Sequence, residues 1–134
     1  MNSIVAHLSN LPRPLGVAIT VGMLVLSNIF MTFAWYWHLR KNPGGETSHA
    51  PLFAIILMSW GLAFFEYCIL VPANRLGSAV HLSVPQLKII QEVVTVCVFI
   101  PFTLFFLGEK WRWDYLWALL CMVGAVYFVN RGNL

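Results

Sequence analysis

Two acidic residues, Glu66 and Glu92, lie inside long apolar stretches of the chain. An ionisable residue within a bilayer is costly and is therefore a functional candidate. Such a carboxylate could carry a proton while a cavity is empty and ionise when a cation or an amine arrives. At 1.5 Å per helical residue, Glu66 lies roughly 9–13 Å from residues 72–75, and Glu92 lies about 10 Å from Pro85. We therefore expect both carboxylates at similar depth, where they could face each other across one cavity.

Further polar residues extend this candidate site. Four of them follow helical spacing and form one stripe: Lys88, Gln91, Glu92 and Thr95. Asn28 could supply hydrogen bonds to a cavity or could clamp two helices together. Trp60 and Tyr67, near Glu66, could form an aromatic wall for an organic cation, although such residues also pack or face lipid.

A structural interpretation of the carboxylates is equally open. Glu66 or Glu92 could pair with Arg75 or Lys88 and lock the second and third helices together. Lys88 and Glu92 are also one helical turn apart and could neutralise each other.

The composition determines which elements must position these residues. Of 134 residues, 60% are hydrophobic and 10% are charged, and the mean hydropathy is +0.78. A soluble domain this small leaves much of its surface wet, so lipid must solvate most of this apolar surface. We predict an all-α membrane protein, a single domain folded as a compact bundle of four transmembrane helices. They cover about residues 15–37, 51–71, 86–107 and 113–129.

Several local patterns support these boundaries. The first span runs into an aromatic and basic flank, which is typical of a retained helix rather than a cleaved signal peptide. The first loop, residues 42–48, is predicted to be a flexible turn. Residues 72–77 are expected to break or bend the second helix at the membrane surface. Ser83 and Gln86 form a predicted capping box at the start of the third helix.

The basic residues divide evenly between the two faces of a membrane crossed four times. One side holds Arg13, Arg75, Lys88 and Arg131. The other side holds Arg40, Lys41, Lys110 and Arg112. Because an excess of Lys and Arg normally sets orientation, this balance predicts that both orientations coexist, as an antiparallel homodimer requires.

Small residues in the fourth span allow close helix contact, either between two copies of the chain or within one bundle. They are Ala118, Cys121, Gly124 and Ala125.

Other classes of function find no support in the sequence. The net charge of +3 comes from basic residues at span ends, and no polybasic run or phosphate-binding loop indicates nucleic acid or a nucleotide cofactor. The cysteines and histidines show no metal-ligand spacing. No nucleophile and base pair lies within the spans, so we expect neither an enzyme nor a cofactor.

Five parts of the chain have distinctive combinations of residues: MTFAWY at 31–36, SWG at 59–61 with FEY at 65–67, VPANR at 71–75, QLKIIQE at 86–92 and WDYLWA at 113–118. These segments resemble a known family, the four-helix domain-of-unknown-function group assigned to the drug/metabolite transporter superfamily. The resemblance covers roughly residues 16–130. Residues 108–126 also resemble the last hairpin of the wider superfamily, in which a Gly-Glu pair opens the turn.

The resemblance implies a four-helix protomer that dimerises, by analogy with small multidrug resistance exporters. Those exporters carry their essential glutamate in the first helix, whereas the first span here has no acidic residue, which leaves Glu66 or Glu92.

The leading hypothesis is a homodimeric transporter of the bacterial inner membrane that exchanges protons for an unidentified small cationic or polar solute. The alternatives are a non-transporting membrane subunit or assembly partner, and a translocator of lipids or lipid precursors.

Overall fold

The computed structural model describes residues 2–41 and 49–133, and the predicted turn at 42–48 lies outside the described residues. Within these ranges the chain is helical and contains no strand. The α-helices are α1 (Asn2–Ser9), α2 (Arg13–Tyr36), α3 (Leu52–Ala79), α4 (Val84–Phe105) and α5 (Trp113–Asn130). Short 3-10 turns follow α2 and α5, at Trp37–Leu39 and Arg131–Asn133. The helical class is confirmed, and α1 is an addition that the sequence did not predict.

Three of these segments are long and apolar enough to cross a membrane. They are Arg13–Leu39, Leu52–Ala79 and Val84–Phe105. The fourth predicted span corresponds to a shorter apolar helix, Trp113–Val129. At 1.5 Å per residue this helix is about 26 Å long, slightly less than the roughly 30 Å of a hydrocarbon core.

Helix α3 is longer than predicted, because it continues through Pro72 to Ala79. The expected break at residues 72–77 is therefore wrong, and the expected alternative, a bend, stays a prediction. Proline removes one backbone donor, but membrane helices tolerate this loss when neighbouring helices and local adjustments satisfy the freed carbonyl. The 28 residues of α3 span about 42 Å, so its last turns extend beyond a hydrocarbon core of about 30 Å.

The turn from α3 to α4 combines two capping motifs. The Leu82 amide donates to the Gly77 carbonyl at 3.0 Å and the His81 amide donates to the Ser78 carbonyl at 3.1 Å, which is the Schellman pattern. His81 occupies the left-handed position of this motif, with a φ of 69°, where glycine is usual.

Helix α4 begins at Val84 with the predicted capping box, which is confirmed. The Ser83 hydroxyl oxygen accepts from the backbone N–H of Gln86 at 3.4 Å. In return, the backbone N–H of Ser83 donates to the side-chain oxygen of Gln86 at 2.8 Å. Two reciprocal bonds therefore fix the direction in which α4 leaves the turn.

Helix α2 is the centre of the bundle, because it packs against both α3 and α4. Helix α4 forms a hairpin with α5, whereas α3 and α4 contact each other little. Leu24, Ala73 and Val94, one from each of the three long helices, form the buried core.

Close helix contact near the α3–α4 turn depends on glycine. A Cβ atom at position 77 would overlap the Leu87 side chain and would lie 3.1 Å from the Thr20 Cγ2 atom. Gly16 at the start of α2 is equally tight, because its Cβ position lies 2.5 Å from Val80 Cγ1. The N-terminal end of α2 is thereby held beside the adjoining ends of α3 and α4.

Candidate functional site

Asn28 joins α2 to α4 in the middle of the bundle. Its side chain is buried, with 1% of the residue exposed. The amide nitrogen donates to the Leu24 carbonyl at 2.9 Å, and the amide oxygen accepts from the Thr95 hydroxyl at 2.7 Å. The Thr95 oxygen also lies 2.8 Å from the Gln91 carbonyl, which competes for the same proton. Two predicted site residues, Asn28 and Thr95, are therefore brought together, whereas Gln91 takes part only through its backbone carbonyl.

A buried polar stripe on α2 surrounds this contact. The Thr20 hydroxyl donates to the Gly16 carbonyl at 2.9 Å, and the Thr32 hydroxyl donates to the Asn28 carbonyl at 2.7 Å. Thr20 and Thr32 are almost fully buried and each bonds one turn back along its own helix, so neither is left unpaired. The sequence analysis missed both residues. Positions 20, 28 and 32 differ by multiples of four, a spacing that places them on one face of a helix and could have indicated a shared polar stripe.

A cavity of about 150 Å³ lies between α2 and α4 beside the Asn28–Thr95 contact. Its walls include three hydroxyl-bearing residues, Thr32, Tyr36 and Thr95, together with apolar side chains such as Met31 and Phe99. The volume corresponds to a few water molecules, at about 30 Å³ each, or to one small solute. The cavity is thus mainly apolar with a few polar groups, as is common for ligand pockets.

Glu66 is a buried residue of α3, with 7% of the residue exposed. Among the described residues, none forms a hydrogen bond or an ion pair with its carboxylate. The core residues Leu24 on α2 and Ala73 on α3 pack together and give a common reference for depth. The two helices run in opposite directions, and from this reference Glu66 lies seven residues along α3 and Asn28 four residues along α2. These intervals correspond to about 10.5 Å and 6 Å, so Glu66 and Asn28 differ in depth by about one helical turn.

Glu92 occupies a different environment, at the surface of the bundle. Its side chain is 44% exposed, and it forms an ion pair of 2.5 Å with Lys88, one turn earlier on α4. Lys88 and Glu92 thus neutralise each other along one helix, as their spacing in the sequence suggested. Both residues belong to α4, so this pair does not hold α4 to another helix.

The two glutamates do not lie at the similar depth that the sequence led us to expect. Because α3 continues to Ala79, Glu66 lies 13 residues, about 20 Å, from its end. Glu92 lies eight residues, about 12 Å, from the start of α4 at Val84. Helices α3 and α4 also contact each other little. The error arose from ending α3 at Pro72.

The remaining candidate residues lie on outer surfaces of the described chain. Trp60 and Tyr67 are exposed, and so is Arg75. On α5, Ala118, Cys121 and Ala125 are exposed, and a Cβ atom at Gly124 would meet no other group within 4 Å. The small residues of α5 are therefore not used for close packing among the described residues.

These features define the class to which the protein belongs. A bundle of long apolar helices that buries a carboxylate and an amide near its middle is a multi-pass integral membrane protein.

The family follows from the sequence comparison. Residues 20–130 match the family model DMT_6, described as "Putative member of DMT superfamily (DUF486)", and the chain belongs to this family. The predicted family resemblance is thereby confirmed, and it suggests a protein of the membrane-transporter type. No curated protein and no solved structure matches the chain.

Proposed function

We propose that this protein is a membrane transporter of the drug/metabolite type that exchanges protons for a small cationic or polar solute at Glu66. The observation that carries the proposal is that Glu66 is buried without a partner among the described residues. An ionised carboxylate without a partner is costly in a low-dielectric interior. The group is therefore suited to binding a proton in one state and a cation in another. Membership of the family supports transport as the general class.

The polar groups around Asn28 provide the second part of the proposed site. The Asn28 amide, the Thr95 hydroxyl and the cavity between α2 and α4 offer donors and acceptors about one turn from the depth of Glu66. Because the walls of this cavity do not include Glu66, a solute would reach both sets of groups only if the helices move. We therefore assign solute contacts to Asn28 and Thr95 and the exchangeable proton to Glu66.

Glu92 has a structural role in this proposal. Its ion pair with Lys88 and its partial exposure match a residue that balances the charge of a neighbour on the same helix. The aromatic residues Trp60 and Tyr67 are exposed on α3, so they would contact a solute only from a second copy of the chain or from the lipid phase.

We further propose that the chain crosses the membrane four times and works as a homodimer, with an antiparallel pair as the arrangement that the balanced charges favour. The exposed small residues of α5 would be the contact surface. A single cysteine at Asn133, in a chain lacking Cys68, Cys97 and Cys121, tests the orientation. Labelling by an impermeant thiol reagent from both sides of the membrane would support dual orientation, and labelling from one side would exclude it.

Transport itself is tested by comparing Glu66→Gln with Glu92→Gln in proteoliposomes. The measurement is proton release, reported by a trapped pH indicator, on addition of quaternary ammonium or guanidinium ions. We expect Glu66→Gln to abolish the release and Glu92→Gln to retain it, while both variants keep the thermal stability of the native protein. Native exchange by Glu66→Gln would remove Glu66 as the coupling site.

A non-transporting membrane subunit is the second candidate, and the hydrogen bond that clamps α2 to α4 favours it. Under that reading Glu66→Gln lowers thermal stability or assembly, and no proton release accompanies any added cation.

A further inference from the structure

A groove of about 420 Å³ runs between the C-terminal part of α3 and the N-terminal part of α4. It is distinct from the cavity beside Asn28, since the two share no lining residue. Its apolar lining includes Val71, Val84 and Leu87, and its basic lining consists of Arg75 and Lys88. Among the described residues that line it, two are cationic and none is acidic.

The position of the groove relative to the membrane follows from the helix lengths. Helix α3 is about 42 Å long, so the turn that contains Arg75 lies near the boundary between hydrocarbon and headgroups. Lys88 lies within the second turn of α4, which starts beside the end of α3. The two cations are therefore at headgroup level, while Val71, deeper in α3, faces the acyl region.

This arrangement matches the chemistry of a lipid with an anionic headgroup. A guanidinium ion binds phosphate oxygens through a planar pair of N–H groups, and an ammonium ion binds them as a point charge. Lys88 can serve a phosphate while it is paired with Glu92, because its ammonium group has three donors. Val71 and Val84, both exposed at the groove, offer a surface along which an acyl chain can lie.

We propose that this groove binds the phosphate headgroup of an anionic membrane phospholipid through Arg75 and Lys88. The apolar walls commit the site to a lipid rather than to a soluble phosphate. Glu92 has a defined influence here, since its carboxylate competes with the phosphate for the Lys88 ammonium group. The proposal goes beyond transport and does not involve Glu66.

The test is a titration of the purified full-length protein with phosphatidylglycerol, followed by native mass spectrometry. Phosphatidylcholine with the same acyl chains is the neutral comparison. The binding free energy contributed by one basic residue near an anionic lipid surface corresponds to about a five-fold change in affinity. We therefore expect Arg75→Gln and Lys88→Gln each to weaken phosphatidylglycerol binding about five-fold without changing phosphatidylcholine binding.

Three further variants distinguish binding in this groove from a general electrostatic attraction between the protein and anionic lipid. Arg13→Gln removes an exposed cation at the same end of the bundle but outside the groove, and we expect native affinity. Glu92→Gln removes the competitor of the phosphate, so the affinity should increase. Glu66→Gln should bind as the native protein does, whether or not it transports.

Several results would overturn the proposal. They are equal affinity for the two lipids, an equal loss for Arg13→Gln, and a decrease for Glu92→Gln. Displacement of phosphatidylglycerol by an equal concentration of glycerol 3-phosphate would assign the groove to a soluble phosphate and reject the lipid. Arg75→Lys provides a second test in case Arg75→Gln folds poorly. Because it keeps the positive charge, it should retain most of the affinity for phosphatidylglycerol.

Discussion

Replacing Thr95 with valine tests how strongly the contact between α2 and α4 stabilises the bundle. The Thr95 hydroxyl lies 2.7 Å from Asn28 Oδ1, and Asn28 is 1% exposed. Valine has the shape of threonine without the hydroxyl, so the Asn28 oxygen loses its partner on α4. Hydrogen bonds between helices in a bilayer contribute about 0.6 kcal/mol on average and up to about 1.7 kcal/mol. We expect Thr95→Val to lower the free energy of unfolding within this range, about a three- to eighteen-fold change in the folding equilibrium.

The measurement is unfolding of the purified chain by sodium dodecyl sulfate in mixed micelles, followed by circular dichroism. A double-mutant cycle with Asn28→Ala isolates the energy of the contact, and Thr95→Ser, which keeps the hydroxyl, should restore most of it. Thr103→Val is a matched control on the same helix. The Thr103 hydroxyl is buried without a hydrogen-bond partner among the described residues, so this change should be neutral or stabilising.

Equal losses for Thr95→Val and Thr103→Val, or a coupling energy near zero in the cycle, would refute this reasoning. Either result would mean that Asn28 satisfies its oxygen in another way and that the two helices are held by apolar packing alone.

Backbone and packing effects give further expectations that the same unfolding assay can check. Gly77→Ala should lower the free energy of unfolding by about 1–3 kcal/mol, because its Cβ atom would overlap the neighbouring helix. Gly61→Ala, also on α3 but with nothing within 4 Å, should instead raise it by about 0.5–1 kcal/mol, and equal effects at the two positions would contradict the packing argument. His81→Gly should raise the free energy of unfolding by up to about 1 kcal/mol, since the φ of 69° strains a residue with a side chain. Gly108→Ala, at a φ of 72°, should lower it by about 1 kcal/mol, and the His81 argument fails if both changes have the same sign.

The helices and their caps could be predicted from local sequence. Apolar stretches of about 20 residues can satisfy their backbone groups in lipid only as helices, which is why the centres of α2, α3 and α4 were predicted correctly. The capping box at Ser83 also depends only on residues three positions apart. The end of α3 was misplaced, because a proline alone does not determine whether neighbouring helices will satisfy the freed carbonyl at Pro72.

The candidate site was only partly predictable. Asn28, Gln91 and Thr95 were identified as polar residues within apolar spans, and the structure brings the side chains of Asn28 and Thr95 together. The pairing of Asn28 with Thr95 depends on the register between α2 and α4. These two residues are 67 positions apart, so no local pattern encodes their contact.

The amino-acid sequence by itself determined that this protein is helical, that lipid must solvate most of its apolar surface, and that it belongs to a family of the transporter type. These properties follow from composition, from the length of apolar runs and from family-specific segments. Only the tertiary structure decided that Glu66 is buried while Glu92 is paired with Lys88 near the surface. The two glutamates look alike in sequence, and the difference between them arises because α2 occupies the centre of the bundle and covers the face of α3 that carries Glu66.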